Sequence, residues 1–370
     1  MSSGIKRFFL FLFVFCTVFS SLSTSVSADN FAVDAFGSLG ESKCDGIKYN
    51  DVNVSSRFYE LLFGNKNKSA PDYLIVGGDT FGIKIREDYI TVSEVSGSSA
   101  FRTGDKILSV GGKKIECAED INDALKESGG RTVNVEIIRE GERLTLTVIP
   151  KLEDGIYKLG IKLKRFTSGI GTVTFIDPET HLFGGLGHGV YESDGGSIVN
   201  IKDGICCDVI LGGLKRGEVG RPGELSGILS KNVTGNIFKN TECGVFGVFE
   251  NIADSSLVLP VGTRSDVKVG EAEIVSTVKS GKKAHYKIEI TEINEDSQGS
   301  KSFKIRVTDG TLIAISGGIV RGMSGSPIIQ NGKLVGAVTH VMVANPTEGY
   351  GIFIENMLNA AHGDVVPKAA

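Results

Sequence analysis

The chain has no tryptophan and only five histidines, so every candidate imidazole base can be weighed individually. Cysteine is also sparse. Apart from Cys16 near the N-terminus there are Cys44, Cys117, Cys206, Cys207 and Cys243, an odd number with no C-x-x-C spacing, so neither a metal site nor a cofactor is expected. Adjacent Cys206 and Cys207 in "DGICCDVILGG" read as small buried strand residues, with a disulfide from one of them to Cys243 left open. There is no Lys/Arg run or basic stripe, and the net charge is -4, so nucleic acid is excluded as a partner. After the first thirty residues no apolar run approaches the ~20 residues that a spanning helix needs. Glycine is what the chain has in excess: 49 residues, about 13% against a typical ~7%, which implies many tight turns and a strand-rich fold. The length suits roughly two domains with real cores.

The opening "MSSGIKRFFLFLFVFCTVFSSLSTSVSADN" places Lys6 and Arg7 before an apolar run, then small residues ending in Val26-Ser27-Ala28. Residues 1–28 therefore read as an export signal or, if uncleaved, an N-terminal anchor, leaving the rest soluble or tethered only there. Residues 29–70 read as a leader and linker. "NVSSRFYELLFGNKNKSAP" offers a short helix around Phe58 to Phe63 and then a polar, protease-accessible stretch.

Residues 71–152 carry a regular succession. "YITVSEV" alternates, "SGSSAFRTGDKILSVGGKKI" has turn signals on both sides of an apolar strand, and "EDINDALKESGG" sets Ile121, Ala124 and Leu125 on one helical face. "RTVNVEIIREGERLTLTVIP" is a hairpin turning near Glu140-Gly141. This order resembles a PDZ domain, which captures peptide termini by adding an extended peptide to a sheet edge. On that resemblance the receiving loop is "TFGIKI", with Phe81, Gly82 and Ile83 offering their N–H groups. Asp105 reads as a turn former.

Residues 153–370 alternate short apolar segments with Gly-rich turns, among them "IGTVTFI", "CCDVILGG", "AHYKIEITEI" and "TLIAIS", the spacing of an all-β barrel or sandwich. Only "IENMLNAAHG" has helical spacing, at Ile354, Met357, Leu358 and Ala361. Within this part, "GMSGSP" resembles the Gly-Asp-Ser-Gly-Gly-Pro signature of trypsin-like serine peptidases. The match puts Ser324 in the nucleophile position, Ser326 in a Gly position, and the N–H groups of Gly322 and Ser324 in an oxyanion hole. A serine needs a base to attack at neutral pH. His188, enclosed as Gly-His-Gly in "FGGLGHGV", is favoured. His181 reads as a turn residue, His285 and His362 as surface residues, and His340 as packed or hydrogen-bonded.

The pairing of "FGGLGHGV" with "GGIVRGMSGSPIIQNGKLVGAVTHVMVANPTEGYGIFIENML", behind a PDZ-like region and an export signal, resembles the stage IV sporulation protein B peptidases of endospore-forming Firmicutes. The fold so implied is mainly β, a PDZ domain followed by a trypsin-like double β-barrel peptidase domain with a C-terminal helix. The resemblance implies a self-cleaving serine endopeptidase exported across the forespore membrane into the intermembrane space. There it would cut a membrane-bound regulatory protein and so trigger processing of the sigma-K precursor. The PDZ domain would hold peptide termini or the chain's own segment, and an inhibitor protein joins the expected partners. The resemblance also places Asp309, fifteen residues before Ser324, as the triad acid, with Asp194 and Asp208 as substitutes. Two other readings stay open: a PDZ adaptor on an inactive β scaffold, and a general exported quality-control protease.

Overall fold

A computed structural model describes residues 71–96, 99–192, 197–252, 257–278 and 281–362. The signal and leader, Cys44, Asp194 and Gly363 lie outside the described residues. In chain order the first strands are β1 (Tyr73–Val76), β2 (Thr80–Val95), β3 (Lys106–Val110) and β4 (Lys113–Lys114), then helix α1 (Ala118–Ser128). Next come β5 (Val133–Arg139), β6 (Glu142–Val148), β7 (Lys151–Glu153), β8 (Ile156–Lys158), β9 (Ile161–Ile176) and β10 (Leu182–Gly185). They are followed by β11 (Ile201–Lys215), β12 (Gly223–Thr241), β13 (Gly244–Phe249), β14 (Val258–Pro260), β15 (Gly270–Ser276) and β16 (Ala284–Ile293). The chain then forms β17 (Phe303–Val307), α2 (Gly310–Ser316), β18 (Val320–Arg321), β19 (Pro327–Gln330), β20 (Lys333–Met342), β21 (Asn345–Phe353) and α3 (Ile354–His362).

Two rings of strands organise the peptidase part. β9, β10, β13, β12, β11 and β2 follow one another, and a further β9–β2 pairing closes them into a first barrel. A second barrel closes through β15, β16, β17, β21, β20 and β19. Phe81, Ile83, Val173, Phe183 and Ile237 fill the first barrel; Ile274, Ile288, Phe303, Ile328 and Val338 fill the second. Helix α3 buries Ile354, Met357, Leu358 and Ala361, the face that their spacing predicts, against Leu74, Phe175 and Phe246.

The PDZ part is set into the first barrel rather than ahead of it. β2 is one strand whose residues 80–86 pair with β9 and β11 inside the barrel, whereas Ile90 and Thr91 pair with β3 in the PDZ sheet. β9 likewise passes from the PDZ sheet at Ile161–Lys164 into the barrel. The boundary placed at residue 71 therefore moves. Residues 80–86 are barrel, β1 lies beside it between β9 and β14, and the PDZ core of Ile90, Val92, Ile107, Val135 and Ile137 lies between the two crossings. Strand continuity across a domain border leaves no turn signal, which is why composition suggested a simple succession.

Local chemistry explains the PDZ elements. Cys117 is the N-cap of α1, and the Asp120 carboxylate reaches back to the Cys117 N–H at 2.9 Å, while left-handed Gly129 ends the helix. Glu140 and Gly141, at φ 52° and 86°, make the tight β5–β6 turn. Asp105 does more than turn the chain. It is 1% exposed, accepts from the Arg102 N–H at 2.8 Å, and takes both Nε and Nη2 of Arg139 at 2.7 Å.

One expected strand is a helix. "TLIAIS" belongs to α2, because the Asp309 carboxylate accepts from the Leu312 N–H at 2.9 Å as N-cap and Gly317 takes the left-handed C-cap. Cys206, Cys207 and Cys243 are free thiols, so the disulfide left open among them is not formed. Burial pushes the Cys206 thiol up to about 12 and the Cys207 thiol up to about 11.

Candidate active site

Ser324 lies in the loop between β18 and β19, and His188 follows β10, so each barrel contributes one residue. The two loops touch. A Cβ at Gly325 would sit 1.9 Å from the Thr172 carbonyl oxygen and 2.5 Å from the Leu186 nitrogen, and Gly325 has φ +95°. Only glycine fits there. Gly187 packs against Thr339, where a Cβ would lie 2.9 Å from the Thr339 methyl. Leu186 and Gly187 both hold positive φ, 66° and 68°, just before His188. For leucine this conformation is strained, and the packing of the two loops sustains it.

Three hydrogen bonds from β9 clamp the serine loop. The Thr172 N–H donates to the Ser324 carbonyl at 2.9 Å, the Thr172 hydroxyl to the Gly322 carbonyl at 2.8 Å, and the Thr174 hydroxyl to the Gly325 carbonyl at 2.8 Å. With the carbonyls so held, the Ser324 N–H donates to no acceptor among the described residues. Gly322, at φ +96°, packs against Leu225. The two serines of the motif have different surroundings. Ser326 is fully buried, with its hydroxyl donating to the Met323 carbonyl at 2.6 Å and bonded to Ser276 at 3.0 Å. Ser324 is half-buried and donates its hydroxyl to the Thr339 carbonyl at 2.7 Å.

The His188 Nδ1 is 2.8 Å from the Gly189 carbonyl oxygen. A carbonyl accepts only, so Nδ1 carries the proton and Nε2 keeps a lone pair. Desolvation by burial holds the His188 pKa below its usual range, with the Gly189 carbonyl opposing. A second imidazole faces it: the His340 ring centroid is 4.9 Å away. The His340 Nδ1 is buried without a hydrogen-bond partner among the described residues, and desolvation first, then His188 and Lys301, pushes its pKa down to about 4. His340 is the site residue that sequence reading set aside. Its only signal was its place directly after Thr339, whose carbonyl receives the serine proton.

The remaining expected residues lie elsewhere. Asp309 accepts from the Leu312 and Lys287 N–H groups, and among the described residues no carboxylate is hydrogen-bonded or ion-paired to His188. Asp208, exposed on β11, pairs with Asn232. His181 is the expected turn residue, at φ 60° with Nδ1 3.2 Å from the Phe249 carbonyl. His285 forms a surface pair with Glu273.

Phe81, Gly82 and Ile83 are not a receiving loop. They lie mid-strand with β9 on one side and, for Gly82 and Ile83, β11 on the other, so no free edge remains there for a peptide. Phe81 and Ile83 are each 3% exposed, and a Cβ at Gly82 would meet Leu229 at 2.4 Å and the Cys207 sulfur at 2.8 Å. Packing, not ligand capture, requires that glycine.

A PDZ domain family model matches residues 80–149. A putative zinc metalloprotease from Mesorhizobium japonicum is 27% identical over 81 residues, and the chain spans 22% of that relative's length. Among solved structures, a protease from M. tuberculosis in its active form is 12% identical, with 54% of this chain and 76% of that one covered at a TM-score of 0.32. The HtrA-type protease AlgW with decapeptide is 9% identical, with 77% and 64% covered at a TM-score of 0.33. The model described as SpoIVB peptidase S55 matches residues 155–358, more than half of the chain. The protein is therefore a member of the SpoIVB peptidase S55 family, a serine peptidase with a PDZ domain.

Proposed function

We propose that this peptidase acts in sporulation: exported across the forespore membrane, it cleaves a membrane-bound regulatory protein in the intermembrane space and so triggers processing of the sigma-K precursor. Ser324 is the nucleophile and His188 the base. The observation that carries the assignment is the contact of the two loops at Gly325 and Leu186, which fixes Ser324 and His188 on either side of one seam.

In the resting arrangement the Ser324 hydroxyl is donated to Thr339. Rotation about its χ1 transfers that bond to the His188 Nε2, which takes the proton as oxygen attacks the scissile carbonyl. The unused Ser324 N–H, with that of Gly322, faces the developing oxyanion. His188 then returns the proton to the leaving amine. Its orientation is held by the Gly189 carbonyl, and among the described residues no carboxylate joins it, so these residues supply a dyad on a backbone acceptor. Asp309 serves as a helix cap.

Fluorophosphonate labelling of the purified chain, with the adduct located by mass spectrometry, tests the chemistry. Label on Ser324 that is lost in His188→Ala and kept in Ser326→Ala is expected; label on Ser326 refutes it. For the biological role, the Ser324→Ala chain should leave the sigma-K precursor unprocessed in sporulating cells that lack their own enzyme. Normal processing there refutes the sporulation reading.

A further inference from the structure

β20 carries an irregularity beside the site. Its pairing with β21 shifts between Val338 and His340, so Thr339 is the extra residue of a β-bulge, a feature that re-aims neighbouring side chains. The bulge is held from several sides. The Thr339 hydroxyl donates to the Ser300 carbonyl at 2.8 Å, and a Cβ at Gly349 would sit 2.5 Å from the His340 carbonyl oxygen. From the other barrel, Gly187 packs on the Thr339 methyl. Both residues of this short stretch therefore reach the catalytic pair. The Thr339 carbonyl accepts the Ser324 hydroxyl, and the His340 ring lies with its centroid 4.9 Å from that of His188 and 38° between the planes.

The two rings meet obliquely, at the spacing of aromatic pairs, and no hydrogen bond joins them. The His188 Nδ1 is already given to the Gly189 carbonyl, so His340 does not stand where a triad acid stands. What it offers is the face of an uncharged ring whose Nδ1 is buried without a hydrogen-bond partner among the described residues. Such a face attracts a cation within about 6 Å of its centroid. His188 becomes that cation when its Nε2 takes the proton of the Ser324 hydroxyl. Burial makes the imidazolium costly, and among the described residues no carboxylate is hydrogen-bonded or ion-paired to it.

A ring in that place must itself stay uncharged, because two cations 4.9 Å apart repel each other. Its surroundings keep it so. Desolvation first, then His188 from the loop after β10 and Lys301 from the segment before β17, hold the His340 pKa down at about 4. Tyr350, opposite His340 on β21, carries the Lys301 Nζ 5.2 Å from its ring centroid. We propose that His340 is a positioning residue for the base: its ring fixes the plane of His188 and supports the imidazolium formed as Ser324 reacts, the part that a carboxylate plays in a triad. The inference rests on the serine-peptidase reading of Ser324 and His188.

The test uses the full chain and the rate of fluorophosphonate labelling at Ser324, followed as a function of pH. His340→Leu fills similar space without a ring face. Its labelling should slow by about tenfold, the scale of a desolvated cation–π contact, and its acid limb should move to lower pH, because an unsupported imidazolium forms less readily. His340→Phe restores a ring face and should recover most of the lost rate, with the limb back at or above its wild-type position. Melting curves show that the variants are folded, and His340→Gln repeats the ringless arm if the leucine chain melts early. An undiminished rate in the ringless chain overturns the proposal. Slower labelling with an unmoved acid limb leaves packing alone and overturns the support of the imidazolium. A folded phenylalanine chain that labels no faster than the ringless one overturns the ring-face contact. If the wild-type chain never labels at Ser324, the serine-peptidase reading itself fails and takes this inference with it.

Discussion

Acid should destabilise this protein in part through His340. The ring packs 4.9 Å from His188, feels the Lys301 charge as well, and has a buried Nδ1 with no partner among the described residues, so the folded state favours neutral imidazole down to about pH 4. In the unfolded chain the same ring titrates near 6.5. Between these values the unfolded state binds more protons, so the contribution of His340 is intact above pH 6.5 and is lost as pH falls toward 4. At 1.36 kcal/mol per pH unit the whole gap is worth about 3 kcal/mol. Partial exposure of the ring reduces this to roughly 1–2 kcal/mol. His340→Phe keeps a ring against His188 and removes the titrating nitrogens. Urea unfolding of both chains at pH 7 and pH 4.5 should show the wild type losing about 1–2 kcal/mol more than the variant on acidification. Parallel losses in the two proteins would refute the reasoning, because the orphaned nitrogen would then cost nothing to protonate.

Four further outcomes are expected. The acid limb of Ser324 labelling should be centred below the 6.5 of an ordinary imidazole, because burial lowers the His188 pKa and the neutral ring is the base; an acid limb centred above 6.5 contradicts this. Asp309→Ala should lose about 1 kcal/mol of stability as a missing helix cap, while Asp309→Asn should keep both stability and labelling rate. Loss of labelling in a folded Asn variant would restore the triad acid. Gly325→Ala should slow labelling by about 100-fold or more, the scale of a lost oxyanion donor, because its methyl would lie 1.9 Å from the Thr172 carbonyl. Asp105→Asn should cost about 3–5 kcal/mol in PDZ stability, the scale of a broken buried pair, read as an earlier denaturation midpoint; an unchanged midpoint argues against the Arg139 pair.

Much of the fold was legible in sequence because its signals are local. The Glu140-Gly141 turn, the Ile121, Ala124 and Leu125 face of α1 and the apolar face of α3 depend on backbone preference and periodicity within a few residues, and all three are found where the pattern puts them. The motifs around His188 and Ser324 were legible for the same reason, since each is a short Gly-rich loop with a steric requirement of its own. Tertiary structure alone decided what depends on partners far along the chain. Burial separated Ser324 from Ser326, two residues apart with similar flanks. Long-range pairing put Phe81 to Ile83 inside a barrel, where a receiving loop was expected. The surroundings of Asp309 made it a cap, and the packing of β20 brought His340 to His188. The physical reason is common to these cases: turn and helix signals are encoded by neighbours in sequence, whereas burial, strand pairing and the approach of two rings are set by residues that only the folded chain brings together.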